Sequence, residues 1–278
     1  MKKSVKIYCL AILSLLVAGT VTAQRQLVKK WETDTTLKVP ESVLYDKVRQ
    51  VLYASNIDGK PDGKDGQGSI AKVGLDGKVI EAEWVKGLNA PKGLGISKNT
   101  LWVADVDELV AIDIKAGVVS NRIKIDGAQF LNDVTVDKKG VVYVSDSKGK
   151  KVYKAENGKA TVLLENLQGP NGLLIHDNSL YVLDNGGLYK VDAANQLVKL
   201  ADGMEGGTDG VENVQKDEFI VSCWAGAIYY VKSDGSKEKL LDTREEKINS
   251  ADIGYDPVKK IVYVPTFYKN SIVAYDLK

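Results

Sequence analysis

Six residues at one phase of a repeating pattern carry the chemistry of this chain: Glu41, Lys92, Asn132, Asn171, Asp209 and Ala251. Each is the second residue of a short group, from Pro40-Glu41-Ser42-Val43 and Pro91-Lys92-Gly93-Leu94 through Leu131-Asn132-Asp133-Val134 and Pro170-Asn171-Gly172-Leu173 to Thr208-Asp209-Gly210-Val211 and Ser250-Ala251-Asp252-Ile253. The position is mostly polar yet differs from copy to copy. A purely structural repeat would reuse one small residue there, so the six read as a site assembled from distant segments. Glu41, Asn132, Asn171 and Asp209 offer hard oxygen donors without nitrogen or sulfur, which selects Ca²⁺ first and Mg²⁺ second over Zn²⁺. Two carboxylates facing each other need a cation or a shared proton. A metal-free solution also exists: Lys92, at the same phase, can pair with Glu41 or Asp209 and leave a polar plug.

The elements that position these residues follow from the spacing. Successive copies are 51, 40, 39, 38 and 42 residues apart, a six-fold repeat with an insertion in the first unit. Each group leads into an apolar stretch, a turn and a β-rich strand such as Leu101-Trp102-Val103-Ala104-Asp105, Val142-Tyr143-Val144-Ser145-Asp146 or Leu180-Tyr181-Val182-Leu183-Asp184. A third strand and a hairpin turn follow; Asp76-Gly77, Asn157-Gly158 and Asp234-Gly235 supply the positive φ such turns need. Four strands in about 40 residues is a β-propeller blade. The expected fold is all-β: a single six-bladed propeller over residues 24–278, four antiparallel strands per blade. The sixth unit ends after its third strand, so Leu27 to Val39 is expected to supply the fourth and close the ring. In that architecture the innermost strands line a central channel, and the six residues meet at one end of it.

At these residues the sequence resembles the SMP-30/gluconolactonase/luciferin-regenerating-enzyme-like propellers over nearly the whole of residues 24–278. The most specific stretches are Pro170-Asn171-Gly172-Leu173 with Leu180 to Asp184, and Asp209-Gly210-Val211 with Phe219 to Cys223 and Trp224-Ala225-Gly226. The resemblance implies that Glu41, Asn171 and Asp209 hold a divalent ion, that Asn132 lies beside a small-molecule substrate, and that Asp209 is also the base or activates the nucleophile of a lactonase-like hydrolase. Lys92 faces the substrate from the second copy. The chain departs from the family at Phe130-Leu131-Asn132-Asp133-Val134, where an Arg-Pro-Asn-Asp-Gly stretch is usual, and at Ser42-Val43, where Gly-Pro is usual. The short repeats also resemble NHL-type propellers, many of which bind partners without catalysis. The alternative function is therefore an extracytoplasmic propeller that captures a glycan, peptide or protein.

Composition narrows the rest. With 38 Lys+Arg against 37 Asp+Glu, the chain has no electrostatic case for nucleic acid or an acidic membrane surface. One histidine leaves little room for His-based triads or multi-His zinc sites. That residue, His176, reads as a strand-end residue; Asp105, Asp146 and Asp184 recur at strand ends and read as turn hydrogen-bond acceptors. Cys223 reads as a buried packing residue. Trp102 and Trp224 read as packing between blades, with Trp224 close enough to the channel to offer a ligand an aromatic wall. The insertion Asn56 to Gly68 lacks EF-hand and phosphate-loop spacing; it reads as a solvated loop in preference to a lid over the channel mouth. Residues 1–23 read as a signal peptide: Lys2, Lys3 and Lys6, an apolar run from Ile7 to Val17, and Val21-Thr22-Ala23 as the cleavage site. Cleavage leaves 255 residues with charge −2, no integral membrane segment, and an exported protein, periplasmic or secreted.

Overall fold

The structure, a computed structural model, describes Met1 and residues 25–278. The signal peptide expected at residues 1–23 lies, apart from Met1, outside the described residues. The repeat folds as its spacing demands: six four-stranded antiparallel sheets, nearly without helix. Their innermost strands are Pro40–Asp46, Pro91–Ser97, Leu131–Val136, Pro170–His176, Thr208–Gln215 and Gly254–Asp256. The chain is a six-bladed β-propeller. No helix among the described residues is long and apolar enough to cross a membrane.

Each blade is apolar on both faces, so it must stack against two neighbours. One apolar cluster fills each of the six seams. Between blades 1 and 2, for example, Tyr53, Ile70 and Leu88 meet Leu94, Leu101 and Val103; between blades 4 and 5, Tyr181 and Leu183 meet Phe219 and Val221. Trp102 packs at the seam between blades 2 and 3, as expected. Cys223 is buried and free at the seam between blades 4 and 5, and burial pushes its thiol up to about 12, so it is inert packing.

The ring closes through its first strand. Leu27–Glu32 is the outer strand of the sixth blade and pairs with Ile272–Leu277, with Leu27 opposite Leu277. This removes the open edge that a linear stack of blades would leave. Trp31 then locks the closing strand onto blade 1: its indole donates to the Leu75 carbonyl at 3.0 Å and its ring lies 5.8 Å from that of Tyr263.

The feature that matters for function is a register shift in the inner strands. Pairing with the second strand breaks between Pro40 and Ser42, Pro91 and Leu94, Leu131 and Val134, Pro170 and Leu173, and Thr208 and Val211. Each shift falls on the axial residue, and such bulges re-aim a side chain out of the pleat. The strand-end aspartates hold the loop just before it. Asp105 accepts from Asn89 and Ala90 N–H, Asp146 from Gln129 and Phe130, and Asp184 from Gln168 and Gly169. They are the turn acceptors the sequence suggested, and through that role they fix the direction of the axial side chains.

Removing the lock on the closing strand should be costly. We expect Trp31→Ala to lose about 2–4 kcal/mol, because an aromatic contact and a hydrogen bond go together. Val162→Ala, an exposed position, should stay within about 0.5 kcal/mol. Urea unfolding midpoints read both; equal midpoints would remove the closing strand from the account of stability.

Candidate functional site

The bulges bring five of the six axial residues to one cavity. Glu41, Lys92, Asn132, Asn171 and Asp209 line a space of about 250 Å³ at one end of the channel, with Ile57, Pro61, Phe130, Gly207, Trp224, Phe267 and Tyr268. Ala251 belongs to the fully buried apolar cluster of Ile57, Ala90, Val106 and Phe267. It is the blank position of the ring, and its small side chain lets Phe267 pack there.

The floor is oxygen-rich and short of donors. Asn171 donates Nδ2–H to Asp209 Oδ1 at 2.9 Å, which turns its own Oδ1 away without a partner. Glu41 Oε2 is also buried and unpartnered. Asn132 donates to Ser147 Oγ at 3.0 Å, and Ser147 in turn donates to the Pro170 carbonyl at 2.6 Å, tying blade 3 to the residue preceding Asn171. Lys92 does not form the ion pair with Glu41 or Asp209 that a metal-free plug would use. Its Nζ donates to the carbonyls of Pro61 and Ala90 at 2.7 and 3.0 Å and sits 4.3 Å from the Phe130 ring centre.

Electrostatics follow from burial. Desolvation raises Glu41 well above the ordinary carboxylate range, and the Asp209 charge adds to this while Lys92 opposes it. Asp209 is raised by desolvation and by Asp252, against the Asn171 hydrogen bond. Burial brings the Lys92 ammonium down to about 8, with Glu41 opposing.

A divalent ion fits this donor set. Glu41, Asn171 and Asp209 present hard oxygens, two of the three side chains keep a buried unpartnered oxygen, and a cation would relieve the repulsion between the carboxylates. Among the described residues no group of three or more His, Cys, Asp or Glu side chains could hold a metal, so an ion here would draw on neutral oxygens such as the Asn171 amide as well as the two carboxylates.

Below this floor lies a second acidic layer that sequence reasoning passed over. Asp133, Asp252, Glu212 and Ser42 line a further cavity of about 190 Å³ in the channel. Asp133 accepts from the N–H groups of Val134 and Leu173, and Asp252 from Ser42 Oγ at 2.5 Å. Gly93 and Gly210 make the room: a Cβ would sit 2.3 Å from Asp133 Oδ1 in one case and 2.5 Å from Asp252 Oδ1 in the other. The signal was present in the repeat itself, where the third residue is small except at Asp133 and Asp252. Desolvation pushes Asp252 up to about 7 and Glu212 up to about 8.

Two sequence readings need correction. Trp224 is not buried between blades; it is 39 % exposed and takes the other place considered for it, as an aromatic wall of the cavity. The first-blade insertion is more than a solvated loop. Its outer side is exposed, but Pro61 lines the cavity and the loop is pinned from three sides. Lys92 holds the Pro61 carbonyl, Lys148 pairs with Asp62 at 3.0 Å, and Lys64 pairs with Asp107 at 2.6 Å. The two exposed pairs contribute about 0–1 kcal/mol each, so the tie from the buried Lys92 ammonium is the strongest of the three. Pro61, Phe130, Phe267 and Tyr268 were not singled out, because they arrive from loops with no fixed phase in the repeat. His176 lies at the far end of the strand that begins with Pro170-Asn171, 6.3 Å from the Tyr181 ring and away from the cavity.

No protein-family model matches the chain, and no curated protein matches it. Solved structures do. The chain is similar to a streptogramin B lyase structure at TM-score 0.66 and 10% identity, covering 91% of this chain and 97% of that one. It is similar to a chain in a nidogen/laminin complex at TM-score 0.65 and 17% identity, covering 78% and 84%. It is also similar to the extracellular domain of a one-component system from B. thetaiotaomicron at TM-score 0.56 and 16% identity, covering 85% of this chain and 32% of that one. At these identities the likeness establishes the propeller fold.

The raised carboxylates set a pH dependence whose sign is fixed. Unfolded Asp and Glu titrate near 4, whereas Asp252 and Glu212 do so near 7 and 8 when folded. Between those values the folded state holds more protons, so stability falls as pH rises. In chelator the melting temperature should therefore drop from pH 5 to pH 8, and Asp252→Asn should flatten the drop. A melting temperature that climbs over this range would contradict the assignment.

Proposed function

We propose that this chain is an exported, divalent-ion-dependent hydrolase acting on a lactone or related ester in the axial cavity, in the manner of the SMP-30/gluconolactonase propellers it resembles. The observation that carries the proposal is the pair of unpartnered buried oxygens, Glu41 Oε2 and Asn171 Oδ1, beside Asp209. Buried acceptors without partners are costly, and a hard cation is the ligand that satisfies them. The likeness to an extracellular domain agrees with the export expected from residues 1–23.

When bound, such an ion polarises a carbonyl oxygen. The residues would divide the remaining work. Glu41, Asn171 and Asp209 hold the ion; Asp209 also takes a proton from the attacking water. Asn132, fixed through Ser147, orients the substrate. Lys92 has two protons committed to carbonyls, which leaves one for a substrate oxygen. The Pro61 loop covers the cavity and limits bulk water. Virginiamycin B lyase from Staphylococcus aureus, a similar structure, has a catalytically inactive histidine-to-alanine variant. No histidine lines the cavity here, so histidine-based chemistry does not transfer.

A second reading rests on Lys92. Its buried charge opposes that of Glu41, and the Arg of the resembled family is missing. Both favour a propeller that binds a partner without catalysis, and the likeness to a chain in a nidogen/laminin complex is compatible with it.

Thermal melts in chelator, Ca²⁺, Mg²⁺, Mn²⁺ and Zn²⁺ test the ion. Saturating Ca²⁺ at about 100 Kd should add about 2.7 kcal/mol and raise the melting temperature by about 5 °C or more. Asp209→Asn should abolish the rise. Because protons compete for Glu41 and Asp209, Ca²⁺ affinity should strengthen from pH 6 to pH 8. No shift with any ion, together with no hydrolysis across a lactone and ester panel, would transfer the assignment to the binding propeller.

A further inference from the structure

Among the described residues, most exposed large hydrophobic side chains are isolated aliphatics such as Val118, Val162 and Val198. The two exposed aromatic rings, Trp224 at 39 % and Tyr268 at 61 %, line one and the same cavity. With buried Phe267 they form an edge-to-face cluster: the ring centres lie 5.5 Å apart for Trp224–Phe267, 4.7 Å for Phe267–Tyr268 and 6.2 Å for Trp224–Tyr268. Rings packed edge to face and open to solvent at a cavity are a surface for an apolar ring, since they gain both buried area and aromatic geometry on contact.

The size and polarity of the cavity narrow that ring. At about 250 Å³ it is smaller than the roughly 300–1,000 Å³ of sites for drug-sized ligands, so it admits one ring. The donors that line it are partly engaged within the protein: Lys92 gives two of its three protons to carbonyls, and Asn132 and Asn171 each give one amide proton, to Ser147 and Asp209. The oxygens left open lie on the floor, where the ion would sit. A polyhydroxylated ring would find only a few of these donors free and would bury its remaining hydroxyls against Ile57, Pro61, Phe130, Trp224 and Phe267, and unpaired hydroxyls oppose binding.

We infer that the substrate is an ester or lactone carrying a single aromatic ring and few or no hydroxyls, seated against Trp224, Phe267 and Tyr268. The inference rests on the hydrolase reading for the reaction and on the aromatic wall for the ring. Water's oxygen forms a bond to the acyl carbon as the acyl C–O bond breaks; one proton of the water passes to Asp209 and the other ends on the leaving oxygen.

The test compares dihydrocoumarin and phenyl acetate with glucono-1,5-lactone, in the ion that stabilises the fold. The aryl substrates should show a kcat/KM higher by about tenfold or more. Trp224→Ala should raise their KM by about tenfold with kcat little changed, and Trp224→Phe should restore it. The ion-dependent melting shift should persist in Trp224→Ala, which shows that the fold and the floor are intact. Preference for glucono-1,5-lactone, or indifference to Trp224→Ala, would overturn the inference. If no ester or lactone is hydrolysed, the hydrolase reading fails, and the ring is tested separately with 3,4-dihydro-2-quinolinone, the lactam of dihydrocoumarin. Quenching of tryptophan fluorescence that disappears in Trp224→Phe would sustain ring recognition, and absence of binding would refute it.

Discussion

Repulsion between carboxylates shut into a narrow channel is the constraint on which the rest of this structure turns. Glu41, Asp133, Asp209 and Asp252 are all buried, and each is pushed toward its neutral form by desolvation and, except for Asp252, by its neighbours. A stack of like charges in a low-dielectric space survives only with protons, a cation or fixed hydrogen bonds to absorb the field. In the lower layer the protein combines the first and third devices: backbone N–H groups serve Asp133 and a serine serves Asp252, while desolvation favours protons on Asp252 and Glu212. In the upper layer it withholds hydrogen bonds from Glu41 Oε2. The contrast sets a layer whose carboxylates all have protein partners apart from one in which Asp209 has Asn171 but Glu41 Oε2 has none.

That contrast was only partly legible in the sequence. Hairpin dipeptides and strand alternation recur at a near-constant interval, so the blade and its count could be read directly. Glu41, Asn171 and Asp209 were legible because a propeller turns one phase of a repeat into one ring of side chains. Lys92 was legible as a position but not as an interaction, since its partners are the backbone carbonyls of Pro61 and Ala90. Trp224 was legible as a candidate wall of the channel but not as an exposed residue, and Phe267 and Tyr268 were missed, because loops have no period from which to infer direction. The first-blade insertion looked like solvated chain because its lysines and aspartates are individually unremarkable. What makes it a cover is that their partners, Asp107 and Lys148, come from blades 2 and 3.

The two sides of the cavity also differ in how they hold their shape. The polar side is built by short links that pass from blade to blade: Asn132 to Ser147 to Pro170, then Asn171 to Asp209. The aromatic side comes from two segments alone, around Trp224 and the turn at Phe267–Lys269. The polar side therefore draws on residues of three successive blades, whereas the aromatic side reaches the rest of the site through Phe267, which packs with Ile57, Ala90, Val106 and Ala251. Floor and wall of the cavity are thus built from different segments of the chain.

Ring closure by the first strand has a kinetic consequence. Leu27 pairs with Leu277, so two segments about as far apart in sequence as this chain allows must meet before the sixth sheet is complete. Contacts of such long range are slow to form, because chain entropy is lost before they return any stabilisation. The segment synthesised early must stay unpaired until the last blade exists, with an apolar, strand-forming edge exposed in the meantime. Leu27–Glu32 carries Lys29, Lys30 and Glu32 along that edge, and charges of this kind discourage a waiting strand from pairing with another chain.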